Sequence, residues 1–408
     1  MTVRSPRATT TRALALLGLS LAALAVLCAV LRIPMADLLV YRAEGAAVAH
    51  GRPLYGFTVT AWHLPATYPP FAALLFLPTA FVPLSVLKAV FCVANVALLA
   101  LLVLLSCRFA RIGARPAHVL AATALGLWLE PVFQTLIFGQ VNLALVCLVL
   151  WDASRPEGAL GKGFAVGLAA GIKITPLFFV LHLLVRGRVR EALTALAGFG
   201  ATVVVGALVL PYDTVEFFTS RLFETGRVGK AWIVDNQSLQ GALARLLHTP
   251  EPGAVWVAAA IVVGAAGLWT ARRDADERRA LLVSAFTALL ISPISWSHHW
   301  VWCVPLIAVV VAEGRTDGAL AGRTRAAVVL GVVFAVVFTA RTLWLVPHAG
   351  DRDLQLPLWQ QPLASPYPLV GLAVLGWAAR RATRRAAPAE LDADAQLPAR
   401  SSSASMIR

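Results

Sequence analysis

The chain has 408 residues, 59% of them hydrophobic and only 14% charged, with a formal net charge of +14. A soluble domain carries about 25% charged residues, so this composition excludes an ordinary globular enzyme and describes an all-α polytopic membrane protein. A charge of this size would also suit nucleic acid, but the basic residues sit in short loops between apolar runs, where they orient helices and meet anionic headgroups.

Six basic clusters, beginning at Arg4, Arg108, Arg186, Arg272, Arg315 and Arg380, punctuate the apolar runs. Basic loops stay cytoplasmic, so all six are expected on one side of the membrane, with the uncharged, aromatic and Asp/His-bearing segments on the other. The first run, residues 13–33, is longer than the roughly 7–15-residue core of a signal peptide and long enough to cross about 30 Å of hydrocarbon. It reads as a retained signal anchor.

An external segment follows over 34–69, and its early part, Asp37 to Gly45, reads as an interfacial helix stopped by Gly51 and Pro53. Residues 70–106 are apolar but interrupted by Pro78 and Pro83, so a broken entry followed by a span is expected. A span over 117–138, a turn at Gly139-Gln140-Val141-Asn142 and a return over 143–152 come next. The interval 163–185 lies between two basic loops and reads as a short hairpin with Lys173 near its apex. Later spans are expected over 191–211, 254–271, 280–294, 298–313, 326–346 and 366–379, with external loops at 212–253 and 347–365. Twelve crossings then place both termini inside. The transmembrane domain covers 1–385, and the Ala-, Ser-, Pro- and acid-rich tail 386–408 is expected to be a disordered cytoplasmic tail. No repeat is evident.

Irregular backbone at membrane depth survives only when it is buried in protein or lines a cavity, so these short, broken segments point to an enclosed chamber on the external side. Topology brings Asp37, Tyr41, Arg42, Tyr68, Gln140, Asn142, Lys173, Asp235-Asn236-Gln237 and Trp296 to His299 to that side. Asp37 is either an interfacial carboxylate capping a helix or a general base, since an ionised carboxylate accepts a proton from a positioned hydroxyl. His298 and His299 are either interfacial hydrogen-bonding residues or donors to a phosphate oxygen. As neighbours about 100° apart on a helix they make poor joint metal ligands, and the five isolated cysteines offer no metal set either. Lys173 and Glu130 are ionisable groups near membrane depth. Lys173 suits an anionic phosphate, and Glu130 either acts in function or snorkels at an external helix end. Arg42, Arg227 and Lys230 are either ligands for an anionic acceptor or solvated charge. The Asp351-Arg352-Asp353 string is weak as a metal motif, and Asp274-Ala275-Asp276 reads as solvated loop charge.

The order of these pieces carries a resemblance. Asp37-Leu-Leu-Val-Tyr41 with Gly51-Arg-Pro-Leu-Tyr55, then Tyr68-Pro-Pro-Phe71, Gly139-Gln-Val-Asn142, Lys173-Ile-Thr-Pro176, Asn236-Gln-Ser238 and Ser292 to His299 resemble the blocks of glycosyltransferase family 87, in that family's order. These are bacterial polyprenyl-phosphate-sugar-dependent transferases, best known as actinobacterial α-1,2-mannosyltransferases. The resemblance implies a type C glycosyltransferase fold, a polyprenyl-phosphomannose donor used on the external side without a metal or other cofactor, and a glycolipid or lipoglycan acceptor. It also implies Asp37 as the catalytic carboxylate, assisted by His298 or His299. Tyr41, Arg42, Tyr68, Gln140, Asn142, Lys173, Asn236, Gln237 and Trp296 are the expected substrate contacts. A polyprenyl-phosphoarabinose-dependent arabinofuranosyltransferase and a multi-pass transporter or flippase are the alternatives, although no paired halves of the kind transporters show are visible.

Overall fold

The computed structural model describes residues 6–316, 321–348 and 350–395. The described residues are mostly helical. In order, the helices are α1 (Pro6–Val30), α2 (Ala36–Ala49), α3 (Pro70–Phe76), α4 (Leu84–Phe109), α5 (Pro116–Gly126), α6 (Glu130–Phe138), α7 (Asn142–Ala153), α8 (Phe164–Ile172) and α9 (Phe178–Val185). There follow α10 (Val189–Val209), α11 (Pro211–Thr219), α12 (Leu239–Leu246), α13 (Gly253–Arg273), α14 (Glu277–Ile291), α15 (Cys303–Thr316), α16 (Ala321–Ala340), α17 (Gln361–Ala364) and α18 (Pro366–Ala395). The sheet content among the described residues is one antiparallel pair, Thr58–Val59 with Leu64–Pro65.

Among the described residues, four helices are long and apolar enough to cross a membrane: α1 over 9–30, α4, α10 and α13. Two bent pairs raise the number to six, α5 with α6 at 74° and residues 358–364 with α18 at 75°. The span expected over 117–138 is thus broken between Gly126 and Glu130. Pro131 starts α6 afresh, and the break buries Glu130 rather than leaving it to snorkel. The other apolar helices are short. α8 and α9, with 9 and 8 residues, each rise about 12–14 Å, less than half of the roughly 30 Å hydrocarbon thickness. Lys173 ends α8, and the 3-10 turn Thr175–Leu177 leads on into α9. The chain is therefore a multi-pass, all-α membrane protein in which short and broken helices are packed inside longer ones.

α8 packs on α10 through glycines four residues apart. A β-carbon at Gly163, Gly167 or Gly171 would collide with the Glu191 carbonyl, the Ala195 carbonyl or the Thr202 side chain respectively. Small residues at this spacing let two backbones approach closely, which drives helix pairing where lipid supplies no hydrophobic force. Gly167→Val should force α8 and α10 apart and cost about 1–3 kcal/mol, as overpacking typically does. Thermal unfolding in detergent checks this: the variant's Tm should drop by several degrees, and an unchanged Tm would remove the close-packing account.

One end of the molecule is knitted by the basic loops. Arg278 donates to the Ala110 carbonyl, and Arg186 donates to the Ala271 and Asp274 carbonyls and pairs with Glu277. Arg279 pairs with Asp274 and with Glu313, which Arg381 also reaches. Four of the six clusters are thereby gathered at a single end. Asp274 is buried in this network, not solvated as the sequence implied. The tail boundary expected at 385 falls within α18, and 396–408 lie outside the described residues.

The helix expected after Asp37 is α2, and its ending at Gly51 (φ +60°) matches the glycine signal. It does not lie free at an interface. Its buried face packs against α3 and the turn Leu77–Phe81, around Leu38, Tyr41, Tyr68, Phe76 and Leu87. The Gly51-to-Tyr55 block is explained by two ties: the Leu54 amide donates to Asp213, and the Tyr55 hydroxyl to the Tyr68 carbonyl.

Candidate active site

Asp37 and Tyr41 are one turn apart on α2 and share a face. The turn between α6 and α7 docks against that face. Gly139 makes this possible: it holds φ +72°, and a β-carbon there would strike Leu38 and Met35. The next residue, Gln140, then reaches α2. Its Oε1 accepts from the Tyr41 hydroxyl at 2.9 Å and from the Tyr68 hydroxyl at 3.0 Å. With the amide oxygen so occupied, the NH2 is the group that faces Asp37, with whose carboxylate Gln140 hydrogen-bonds. Burial pushes the Asp37 carboxyl up to about 6, while the Gln140 hydrogen bond and the Lys173 charge pull it down and Asp235 pushes it further up. Glu44 continues the same face. It is buried, and burial raises it to about 8 despite the Thr67 backbone, so it is largely neutral at pH 7.

Lys173 forms a cationic pole beside this carboxylate. Its Nζ donates to Asn142 Oδ1 at 3.1 Å and lies 2.9 Å from His299 Nε2. An ammonium only donates, so His299 accepts at Nε2 and carries its own proton on Nδ1. Two of the three ammonium protons are committed, and the third remains for a ligand. The Tyr68 ring lies 5.3 Å from Nζ, a cation–π contact. The Asn142 amide donates in turn to the His298 carbonyl at 3.0 Å, joining the start of α7 to the 3-10 turn Ser297–Trp302. His298 is more deeply buried than His299. Its ring meets Phe138 and His299 edge-on, and both its nitrogens lack a hydrogen-bond partner. From Lys173, His299 and Asn142 an apolar cavity of about 50 Å³ opens between α7, α9 and α14, lined by Leu145, Val146, Val149, Phe179 and Leu289.

A loop-to-loop clamp holds the histidine turn in place. The Gln237 backbone N–H donates to the Ser295 carbonyl, the Ser297 backbone N–H donates to the Asp235 carbonyl, and Asn236 pairs with Trp296. This assigns Asn236 and Gln237 differently from the sequence expectation. Both are fully buried, and backbone groups take up their side chains. Asn236 bonds the Ala231 and Pro293 carbonyls and the Ser238 and Ser295 amides, and Gln237 bonds the Val234 and Ala364 carbonyls and the Tyr367 amide. They brace loops and leave nothing to offer a substrate. Arg42 is also outside the cluster: it points about 100° away from Tyr41 and reaches the Val82 carbonyl at 3.5 Å. The Asp351-Arg352-Asp353 string is a fastening too. Asp351 pairs with Lys230 at 3.0 Å, and Asp353 accepts from the Val234 amide at 2.7 Å. Lys230 is thus taken, and Arg227 is turned to the Tyr55 carbonyl.

Comparison with known proteins places the chain in a family. The family model described as Glycosyltransferase family 87 matches residues 66–293. A polyprenol-phosphate-mannose-dependent α-(1-2)-phosphatidylinositol mannoside mannosyltransferase of Mycobacterium tuberculosis is 34% identical over 86% of both chains. A phosphatidylinositol pentamannoside mannosyltransferase of the same species is 35% identical over 84% of this chain and 80% of its own. The Mycolicibacterium smegmatis phosphatidylinositol mannoside mannosyltransferase is 32% identical over 83% and 82%. The chain belongs to glycosyltransferase family 87. No solved structure matches it. In this family 87 chain, Asp37, Tyr41, Tyr68, Gln140, Asn142, Lys173 and His299 come together from five separate stretches, with His298 packed behind. Two further carboxylates, to which the sequence reading gave no catalytic role, stand nearby. Asp235 stands within electrostatic range of Asp37, and burial raises its carboxyl. Glu130 is fully buried, accepting from Tyr367 at 2.6 Å and Trp344 at 3.0 Å. Asp235 was visible only as the neighbour of Asn236 and Gln237.

Proposed function

We propose that this chain moves a mannosyl unit from polyprenyl-phosphomannose to a mannosylated lipid or lipoglycan acceptor on the external side, in α-1,2 linkage. The chain is a glycosyltransferase by family. The single observation that carries the mechanism is the placement of one carboxylate, Asp37, beside a cationic pole that opens into an apolar cavity. The polyprenyl phosphate approaches from the cavity side, and its phosphate meets the free Lys173 proton and His299 Nδ1–H. The sugar then lies between Lys173 and Asp37. Asp37 takes the proton from the acceptor hydroxyl as its oxygen bonds the anomeric carbon. The bond from that carbon to the phosphate oxygen breaks, and the phosphate leaves with the electron pair. A β-linked donor inverts to an α product. One carboxylate suffices, unlike the pair a glycosidase needs, because the leaving group is already an anion that needs charge stabilisation more than a proton. Gln140 orients Asp37, and Tyr41 and Tyr68 orient Gln140. The names of the relatives support both the donor and a phosphatidylinositol mannoside acceptor.

In this reading the fold is of type C, with twelve segments entering the membrane, two of which, α8 and α9, form one re-entrant hairpin. The end knitted by arginines faces the cytoplasm. Sealed vesicles test function and sidedness together. Full-length protein with polyprenyl-phosphomannose should mannosylate an impermeant mannoside acceptor in right-side-out vesicles and not in inverted ones. Equal labelling in both would discard the external site, and no transfer in either or in detergent would discard the donor assignment.

A further inference from the structure

Near Asp37 the structure carries a second polar centre that the mechanism does not use. Asp235 is within electrostatic range of both Asp37 and Glu130, whereas Lys173 is coupled to Asp37. Asp37 thus answers to Lys173 as its cation and to Asp235 as a like charge, and Asp235 also bears on Glu130. The Ser297 hydroxyl faces both Asp235 and Glu130, is fully buried, and has no well-formed hydrogen bond. A buried hydroxyl of this kind is costly unless something completes it. The place is rigid: the Ser297 amide bonds both the backbone carbonyl and the Oδ1 of Asp235, and Asn236 pairs with Trp296 next to it. The Trp296 ring is only half-buried, and its edge rests where Gly229 leaves room for it.

We propose that Asp235, Ser297 and the Trp296 ring form the subsite for the terminal neutral sugar of the acceptor, with Asp235 and Ser297 hydrogen-bonding its vicinal hydroxyls. Three features point to this occupant. Two carboxylates repel a phosphate but accept hydrogen bonds from neutral hydroxyls, and a charged acceptor makes such bonds about twice as strong as a neutral one. A half-exposed indole offers a flat apolar surface to the face of a hexose ring, in a site whose polar groups fix orientation. In an inverting displacement the attacking and leaving oxygens stand on opposite sides of the anomeric carbon. With the phosphate at Lys173, the acceptor sugar enters from the Asp235 side of Asp37. The inference rests on the transferase reading and deepens it, giving this side of the chamber to the acceptor.

The test uses full-length protein in nanodiscs, with initial rates measured against each substrate while the other is saturating. Asp235→Asn should raise the acceptor KM about 30-fold and leave the donor KM within twofold. The unchanged donor KM separates lost recognition from a disordered site. Ser297→Ala, a smaller change should Asp235→Asn fail to fold, should raise the acceptor KM about fivefold. An unchanged acceptor KM in these variants, or a rise confined to the donor KM, overturns the subsite. A calorimetric titration with octyl α-mannoside separates this inference from the transferase reading. Binding that Asp235→Asn weakens by the same factor supports the subsite even if wild type transfers no sugar, and binding indifferent to the substitution overturns it.

Discussion

Asp37→Asn should reduce mannosyl transfer about 10³-fold, within the 10²–10⁴ range of a positioned general base, with little change in either KM. The substitution keeps the shape and the contact with Gln140, so the loss isolates proton acceptance. The wild-type pH profile offers an independent check. Only the ionised carboxylate accepts a proton, and burial pushes Asp37 up to about 6. The rate should therefore level off above pH 7, halve near pH 6 and fall about tenfold per unit below it. A group raised in this way loses its reactive form as pH drops through the raised value. Rates measured from pH 4.5 to 8 on the intact protein decide the matter: an Asp37→Asn variant with wild-type turnover, or a profile flat down to pH 4.5, would exclude Asp37 as the base.

Lys173→Met should lower kcat about 10²–10³-fold, because the ammonium faces the oxygen on which charge develops as the phosphate leaves. Methionine fills the same space without charge. The variant loses the bonds to Asn142 and His299 but is relieved of a desolvated cation, so its Tm should stay within a few degrees of wild type. Inhibition by polyprenyl monophosphate, the leaving group, should weaken by a similar factor. Lys173→Arg should recover little, since a planar fork does not fit where a compact ammonium meets Asn142 and an imidazole. Full activity in Lys173→Met, or unweakened product inhibition, would move the phosphate away from this pole.

How far the sequence reads ahead differs from residue to residue. Asp37, Lys173 and the 139–142 turn were legible because each breaks an apolar pattern, and an ionisable or turn-forming residue at membrane depth is costly without a task. Asn236 and Gln237 stood out for the same reason yet serve as braces, since an amide that meets backbone carbonyls and one that meets a ligand look alike in sequence. His298 and His299 are adjacent, and nothing in their order separates them. In space Lys173 engages His299 while His298 turns to Phe138. Glu130 reads as a residue at a helix end, and only the 74° break after Gly126 carries it inside, to Tyr367 and Trp344. Gly163, Gly167 and Gly171 form a regular four-residue series, a close-packing signal that the sequence carries in plain view.

Composition and the spacing of arginines were enough to establish membrane residence, a helical build and the gathering of basic loops at one end. These follow from local rules, in which apolar length meets bilayer thickness and charge stays in water. Which helices run full length, which bend and which stop short was decided by packing, because a helix can end inside the membrane only where neighbouring protein satisfies its free backbone groups. The same packing decided the site. Asp37, Gln140, Lys173 and His299 are separated by tens to hundreds of residues, and their mutual distances are set by contacts such as Gly139 against Leu38 that no local pattern encodes.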